Sequence, residues 1–154
     1  HELLRPYIKM YSYALVIFDF EGCGAENFKS QQQIELDVEV LLNKNGWNER
    51  NAAIVIKPEL ENWIWQDSIH VEKAIGWTGI ESLYTWARAE GKIAHGDQKP
   101  LRPKETLEEA LRISRTAKSA SIYKQITKSV SYKGCTDRAF LKLLSTLITW
   151  FPSL

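Results

Sequence analysis

Ala14-Leu15-Val16-Ile17-Phe18-Asp19-Phe20-Glu21-Gly22-Cys23-Gly24 is an unbroken apolar run that ends on two carboxylates and enters a glycine loop. A run of this kind reads as a central, parallel strand over Tyr13 to Asp19 rather than a half-wetted one. Open α/β sheets place ligands at the carboxyl ends of such strands. Asp19 and Glu21 are two positions apart, so an extended backbone would project both to one side, within reach of one divalent cation. Gly22 and Gly24 suit a sharp turn or a close backbone approach. The competing reading is that Asp19 and Glu21 only cap the turn that follows.

Working outward, Ser30-Gln31-Gln32-Gln33 is a capping box opening a helix with Ile34, Val38, Leu41 and Leu42 as its inner stripe. Asn45-Gly46 closes that helix, and Ala52 to Ile56 forms a second apolar strand ending at Lys57-Pro58-Glu59. Strand–helix–strand implies parallel pairing. Pro58 fits the start of a helix bearing Leu60, Trp63 and Ile64, and a short helix follows Asp67. Thr78-Gly79-Ile80-Glu81 is a further capping box, with Ile80, Leu83, Tyr84 and Ala87 as an inner face. Residues 91–103 read as a loop, followed by helices opened at Thr106–Glu109, over Ser121–Ser129 and over Asp137–Trp150. The last carries Phe140, Leu143, Leu144 and Leu147 at helical spacing. Residues 1–10 resemble a helix end with Leu3, Leu4 and Ile8 on one side.

The expected fold class is α/β: a small parallel sheet flanked by helices over residues 1–90, with an all-helical extension over 91–154 packed on it as one compact unit. Two strands make a small sheet, so a further strand upstream of His1 is expected.

A chain of 154 residues suits one domain with a real core. Its net charge of +1 is unevenly spread: residues 1–90 carry 8 Lys/Arg against 14 Asp/Glu, and residues 91–154 carry 12 against 5. An acidic half and a basic half suit a metal site facing a phosphate-binding surface, or simply solvated helix faces. Cys23 and Cys135 lie far apart without metal-ligand spacing, which favours a reduced, cytoplasmic protein. No apolar stretch reaches membrane-spanning length and no signal peptide is visible.

Three groups carry candidate chemistry. Asp19 and Glu21 suit a hard cation, which takes one or two carboxylates plus water. Pro58-Glu59-Leu60-Glu61-Asn62-Trp63 follows the second strand, so Glu59 and Glu61 are expected at the same sheet edge; alternatively they complement a helix dipole. His95-Gly96-Asp97 precedes Lys99, Arg102 and Lys104, three cations suited to phosphate oxygens. Against this stands a solvated, idle loop histidine; His70, beside Val71, reads as structural. Of six tryptophans, Trp65 is the one expected to be exposed, for stacking on a base or a partner.

A strand ending in acid-x-acid-glycine, then a helix, then a strand leading into Pro-Glu-Leu-Glu-x-Trp resembles the Toprim-like (Rossmann-like) proteins of bacteria, among them accessory proteins of methylation-associated phage-defence systems. Ala14–Glu26, Ala52–Trp65 and Cys135–Pro152 carry the resemblance. It implies Mg²⁺ (or Mn²⁺) held by Asp19 and Glu21, where Glu21 replaces the more usual second aspartate, with Glu59 and Glu61 matching the second motif. The family's early glutamate has no counterpart here. The implied activity is metal-dependent nuclease action on nucleic-acid phosphodiesters, with Glu61 or Glu59 orienting water or a second ion and Lys99, Arg102 and Lys104 neutralising phosphates. The alternative is a non-catalytic subunit binding other defence proteins. A phosphatase-like site with Asp19 as nucleophile ranks last, because Glu21 stands where a second aspartate is needed.

Overall fold

The strand–helix–strand unit forms where the sequence pattern places it, in a computed structural model that describes residues 2–131 and 133–152. His1, the first residue of the stretch read as a helix end, lies outside them. Strand β1 (Ala14–Asp19) pairs in parallel with β2 (Asn51–Ile56), in a register running from Ala14 opposite Asn51 to Asp19 opposite Ile56. Helix α1 (Gln31–Leu42) crosses between them. Its capping box is complete: the Ser30 hydroxyl accepts from the Gln33 N–H (3.3 Å), and the Gln33 side chain accepts from the Ser30 N–H (2.7 Å). Past α1 the chain reverses at Gly46, whose φ of +91° favours glycine. A side chain there would also press on Ile8, 3.0 Å from the Cβ position.

The burial of the strands reverses the expectation drawn from the apolar run. β2 is buried from Ala52 through Ile56, whereas β1 buries only Ala14 and leaves Ile17 45% exposed. The reason is packing: α1 and α6 (Arg138–Trp150) both lie against β2. β1 contributes Ala14 and Val16 to a small cluster with Leu42 and Trp47, closed by Leu4, Ile8 and Val38. Leu41, read as part of the inner stripe, is exposed, whereas Glu35 is buried in an ion-pair network. The Glu35 carboxylate accepts from Arg138 through both oxygens (3.1 and 2.6 Å), from Lys142 (3.0 Å) and from the Val55 N–H (3.0 Å). Among the described residues, β1 and β2 are the only strands.

The chain divides into two compact units: His1–Lys57 with Cys135–Leu154, and Pro58–Gly134. Residues 91–154 are therefore shared between them. The second unit begins with a 3₁₀ turn at Leu60–Trp63 and continues through α2 (Ile69–Ile75), α3 (Leu83–Ala89), α4 (Pro103–Ile113) and α5 (Ala120–Ser129). Its core gathers Trp65, Ile75, Leu83, Leu107 and Ile122, with Trp77 and Trp86 packed against it.

Two expected caps move. Helix α3 is capped by Ser82, whose hydroxyl accepts from the Thr85 N–H (3.1 Å), so Thr78–Glu81 precedes the helix and Ile80 is fully exposed. Helix α4 starts at Pro103, and Thr106 lies inside it, donating its hydroxyl to the Arg102 carbonyl (2.6 Å). Proline at the first helical position needs no N–H partner and starts the helix earlier than the threonine suggests.

Candidate functional site

The ladder between the strands extends one bond beyond β1, with the Phe20 N–H donating to the Ile56 carbonyl (2.7 Å). Asp19 is half-buried at this carboxyl end, and Glu21, exposed, follows Phe20. The extended backbone ends there. The Cys23 N–H donates to the Phe20 carbonyl (3.4 Å), and Gly22 takes φ +79°, which makes Glu21 the second residue of a tight turn. The period-two argument for Asp19 and Glu21 thus stops before Glu21, whose position is set by the turn.

Glu26 folds back over the glycine loop. Its carboxylate accepts from the Gly22 N–H (3.2 Å) and the Cys23 thiol (3.5 Å). Its own backbone N–H most strongly, then these contacts, hold its acidity above that of an ordinary glutamate. The first loop amide is therefore already occupied by a carboxylate. At the end of β2, the Lys57 ammonium lies 4.9 Å from the Phe20 ring centroid, so this edge carries a cation as well as acids. Sequence reasoning passed over Lys57; its signal is its position directly after the second strand.

Glu59 and Glu61 belong to the second unit, and each has a partner within it. Glu59 accepts from the Lys104 N–H (2.9 Å) in the first turn of α4, where a negative charge meets the helix dipole. Helix α4 has no side-chain cap of its own from Arg102, so Glu59 supplies one. Glu61, 7% exposed, accepts from Lys118 (3.0 Å) and from the Tyr123 hydroxyl (2.9 Å). Burial pushes the Glu61 carboxyl up, but Lys118 and Tyr123 outweigh it and hold it below the ordinary range. Burial, and then Glu61, push the Tyr123 phenol up to about 12.

Trp65 completes the clasp. Expected to be exposed, it is 1% exposed, and its indole N–H donates to the Pro103 carbonyl (2.8 Å). A ring this apolar with one satisfied polar atom is a core residue, not a stacking platform. The stretch from Glu59 to Trp65 thereby fastens the start of the second unit to α4 and α5. A buried carboxylate already holding an ammonium and a phenol is a poor ligand for a hydrated cation.

The basic residues lie on the approach to α4. Lys99 is half-buried and donates to the Asn62 carbonyl (2.7 Å), whereas Arg102 and Lys104 are exposed. His95 and Asp97 are exposed in the preceding loop. In the first unit a cleft of about 390 Å³ opens at the start of β2, lined by Glu39, Asn51, Lys142, Thr149 and Trp150. It lies at the opposite end of the strand from Asp19.

Among the described residues, no three His, Cys, Asp or Glu side chains gather in a way that could hold a metal ion. Asp19 and Glu21 are the two acidic residues at the carboxyl end of β1, and one or two carboxylates is what Mg²⁺ takes from a protein when water and phosphate complete its shell. No protein-family model, no curated protein and no solved structure matches the chain. Among the described residues, no helix is long and apolar enough to cross a membrane.

Proposed function

We propose that the first unit is a Toprim-like divalent-cation site that acts on nucleic-acid phosphodiesters, with Asp19 and Glu21 as the cation's protein ligands. The observation that supports this reading is the parallel pairing of β1 with β2, which makes the end bearing Asp19 the carboxyl edge of an α/β unit. When bound, Mg²⁺ or Mn²⁺ supplies charge neutralisation at phosphoryl oxygens and a more acidic water. Asp19 and Glu21 hold negative charge at that edge, and Lys57 offers a cation to a phosphate entering it. Lys99, Arg102 and Lys104 bind the backbone of the nucleic acid. Glu59 and Glu61 take no part in ligation and hold the second unit together. The test is cleavage of single- and double-stranded DNA and RNA in Mg²⁺ or Mn²⁺ by the chain and by its Asp19→Asn and Glu21→Gln variants. Metal-dependent cleavage lost in both variants supports the assignment; cleavage that survives in both overturns it.

A second reading, a non-catalytic subunit that binds other proteins, is favoured by one observation: Glu61, the fourth expected carboxylate, is engaged by Lys118 and Tyr123. Added salt separates the two. Binding of nucleic acid through the basic residues falls steeply with salt, whereas an apolar protein interface hardly responds.

A further inference from the structure

The two edges of the β1–β2 sheet are treated differently. In a strand, alternate residues turn their backbone N–H and C=O toward opposite edges. Ala53 and Val55 of β2 face away from β1, and side chains close this edge. Glu39 accepts from the Ala53 N–H (3.0 Å), and Lys142 donates to the Ala53 carbonyl (2.9 Å). Glu35 accepts from the Val55 N–H (3.0 Å), and the Gln31 amide donates to the Val55 carbonyl. Charged side chains in these positions leave no room for another strand.

Among the described residues, the edge of β1 has no such cover. Leu15 and Ile17 hold the outward positions, and among the described residues their outward N–H and C=O groups have no partner. The strand carries no proline, lysine or bulge, the usual devices that discourage pairing. Ile17, at its middle, is 45% exposed.

We propose that β1 pairs antiparallel with β1 of a second copy of this chain, about a two-fold axis at Ile17, joining two sheets into one of four strands. The register is self-complementary: Ile17 meets Ile17 of the second copy, and Leu15 meets Asp19. Charge selects this direction. Parallel pairing would set the Asp19 and Glu21 ends of both copies side by side. The antiparallel arrangement brings each acidic end to the other copy's opening turn, where the Arg50 guanidinium donates to the carbonyls of Tyr11 (2.8 Å) and Ile8 (2.9 Å). A two-fold pairing of edges also closes, so it gives a dimer rather than a fibre. The proposal rests on the open edge of β1 and on the charges at the two ends of the strand, and it does not require a bound cation.

The test is sedimentation of the full chain over a concentration series, with backbone amide exchange measured at both ends of the series. The expected result is a dimer whose Leu15 and Ile17 amides exchange at least tenfold more slowly than in the dilute monomer. Like charges directly opposite each other oppose pairing. Ile17→Lys and Ile17→Glu should therefore each be monomeric with wild-type circular dichroism, and a mixture of the two should recover the dimer. A chain that stays monomeric up to its solubility limit overturns the proposal and leaves the edge to a strand from another protein. A dimer with unprotected Leu15 and Ile17 amides, or one that Ile17→Lys leaves intact, overturns it as well. The exchange measurement uses the wild-type chain, so it decides even if a variant fails to fold.

Discussion

Glu61 accepts hydrogen bonds from Lys118 and Tyr123 inside the second unit, and the carboxylate and the phenol each displace the other's titration. Removing the charge should release the phenol: in Glu61→Gln, Tyr123 falls from about 12 toward the ordinary tyrosine value, read by NMR titration of ring-labelled tyrosine. An unmoved Tyr123 would mean that burial alone sets its titration. Glu35 is the corresponding residue of the first unit, 2% exposed and held by Arg138 and Lys142. Burial raises its carboxyl, but Arg138, the Val55 N–H and Lys142 bring it below the ordinary value. A carboxyl lowered in the folded state contributes stability that is complete above its unfolded value of about 4.3 and is lost as pH falls through the lower folded value. Glu35→Gln should cost about 2 kcal/mol at neutral pH, because Arg138 loses its carboxylate partner while Lys142 keeps Glu39 and the Ala53 carbonyl. It should also flatten the acid limb of the unfolding curve, checked by urea melts across pH. Neither role was legible from the sequence. A glutamate on an apolar helix face, or beside a tryptophan, does not show whether a distant lysine or arginine will reach it.

At the scale of elements, the capping box of α1 was legible because all its atoms lie within four consecutive residues, Ser30 to Gln33. Ser30→Ala should lower stability by about 1 kcal/mol, measured as a shift in the urea midpoint without a change in slope. The same signature misled at Thr78–Glu81 and at Thr106. There Ser82 and Pro103 begin their helices by local rules just as strong, and only packing chooses between them. The strands were placed within a residue, and their parallel pairing followed from the intervening helix. Which of them would be buried did not follow, because it depends on where α1 and α6 pack, and α6 lies some ninety positions away in the chain. The apolar richness of β1 reads instead as an edge that two copies can share.

For the whole molecule, the uneven charge along the chain finds a partial structural explanation. Glu35 and Glu39 of the acidic half meet Arg138 and Lys142 of the basic half, and Glu61 meets Lys118. Part of the acidic and basic excess therefore serves internal pairing, not a partner. Asp19, Glu21 and Lys57 lie together at one strand end of the first unit, and Arg102 and Lys104 lie exposed at the start of α4 in the second. The most direct measurement is a calorimetric titration of Mg²⁺ and of Mn²⁺ into the chain and into its Asp19→Asn and Glu61→Gln variants. Saturable binding that disappears in Asp19→Asn and persists in Glu61→Gln is the expected result, with the cation at the carboxyl end of β1 and Glu61 as a structural residue. No binding to the wild-type chain, or binding lost with Glu61 and kept without Asp19, would contradict it.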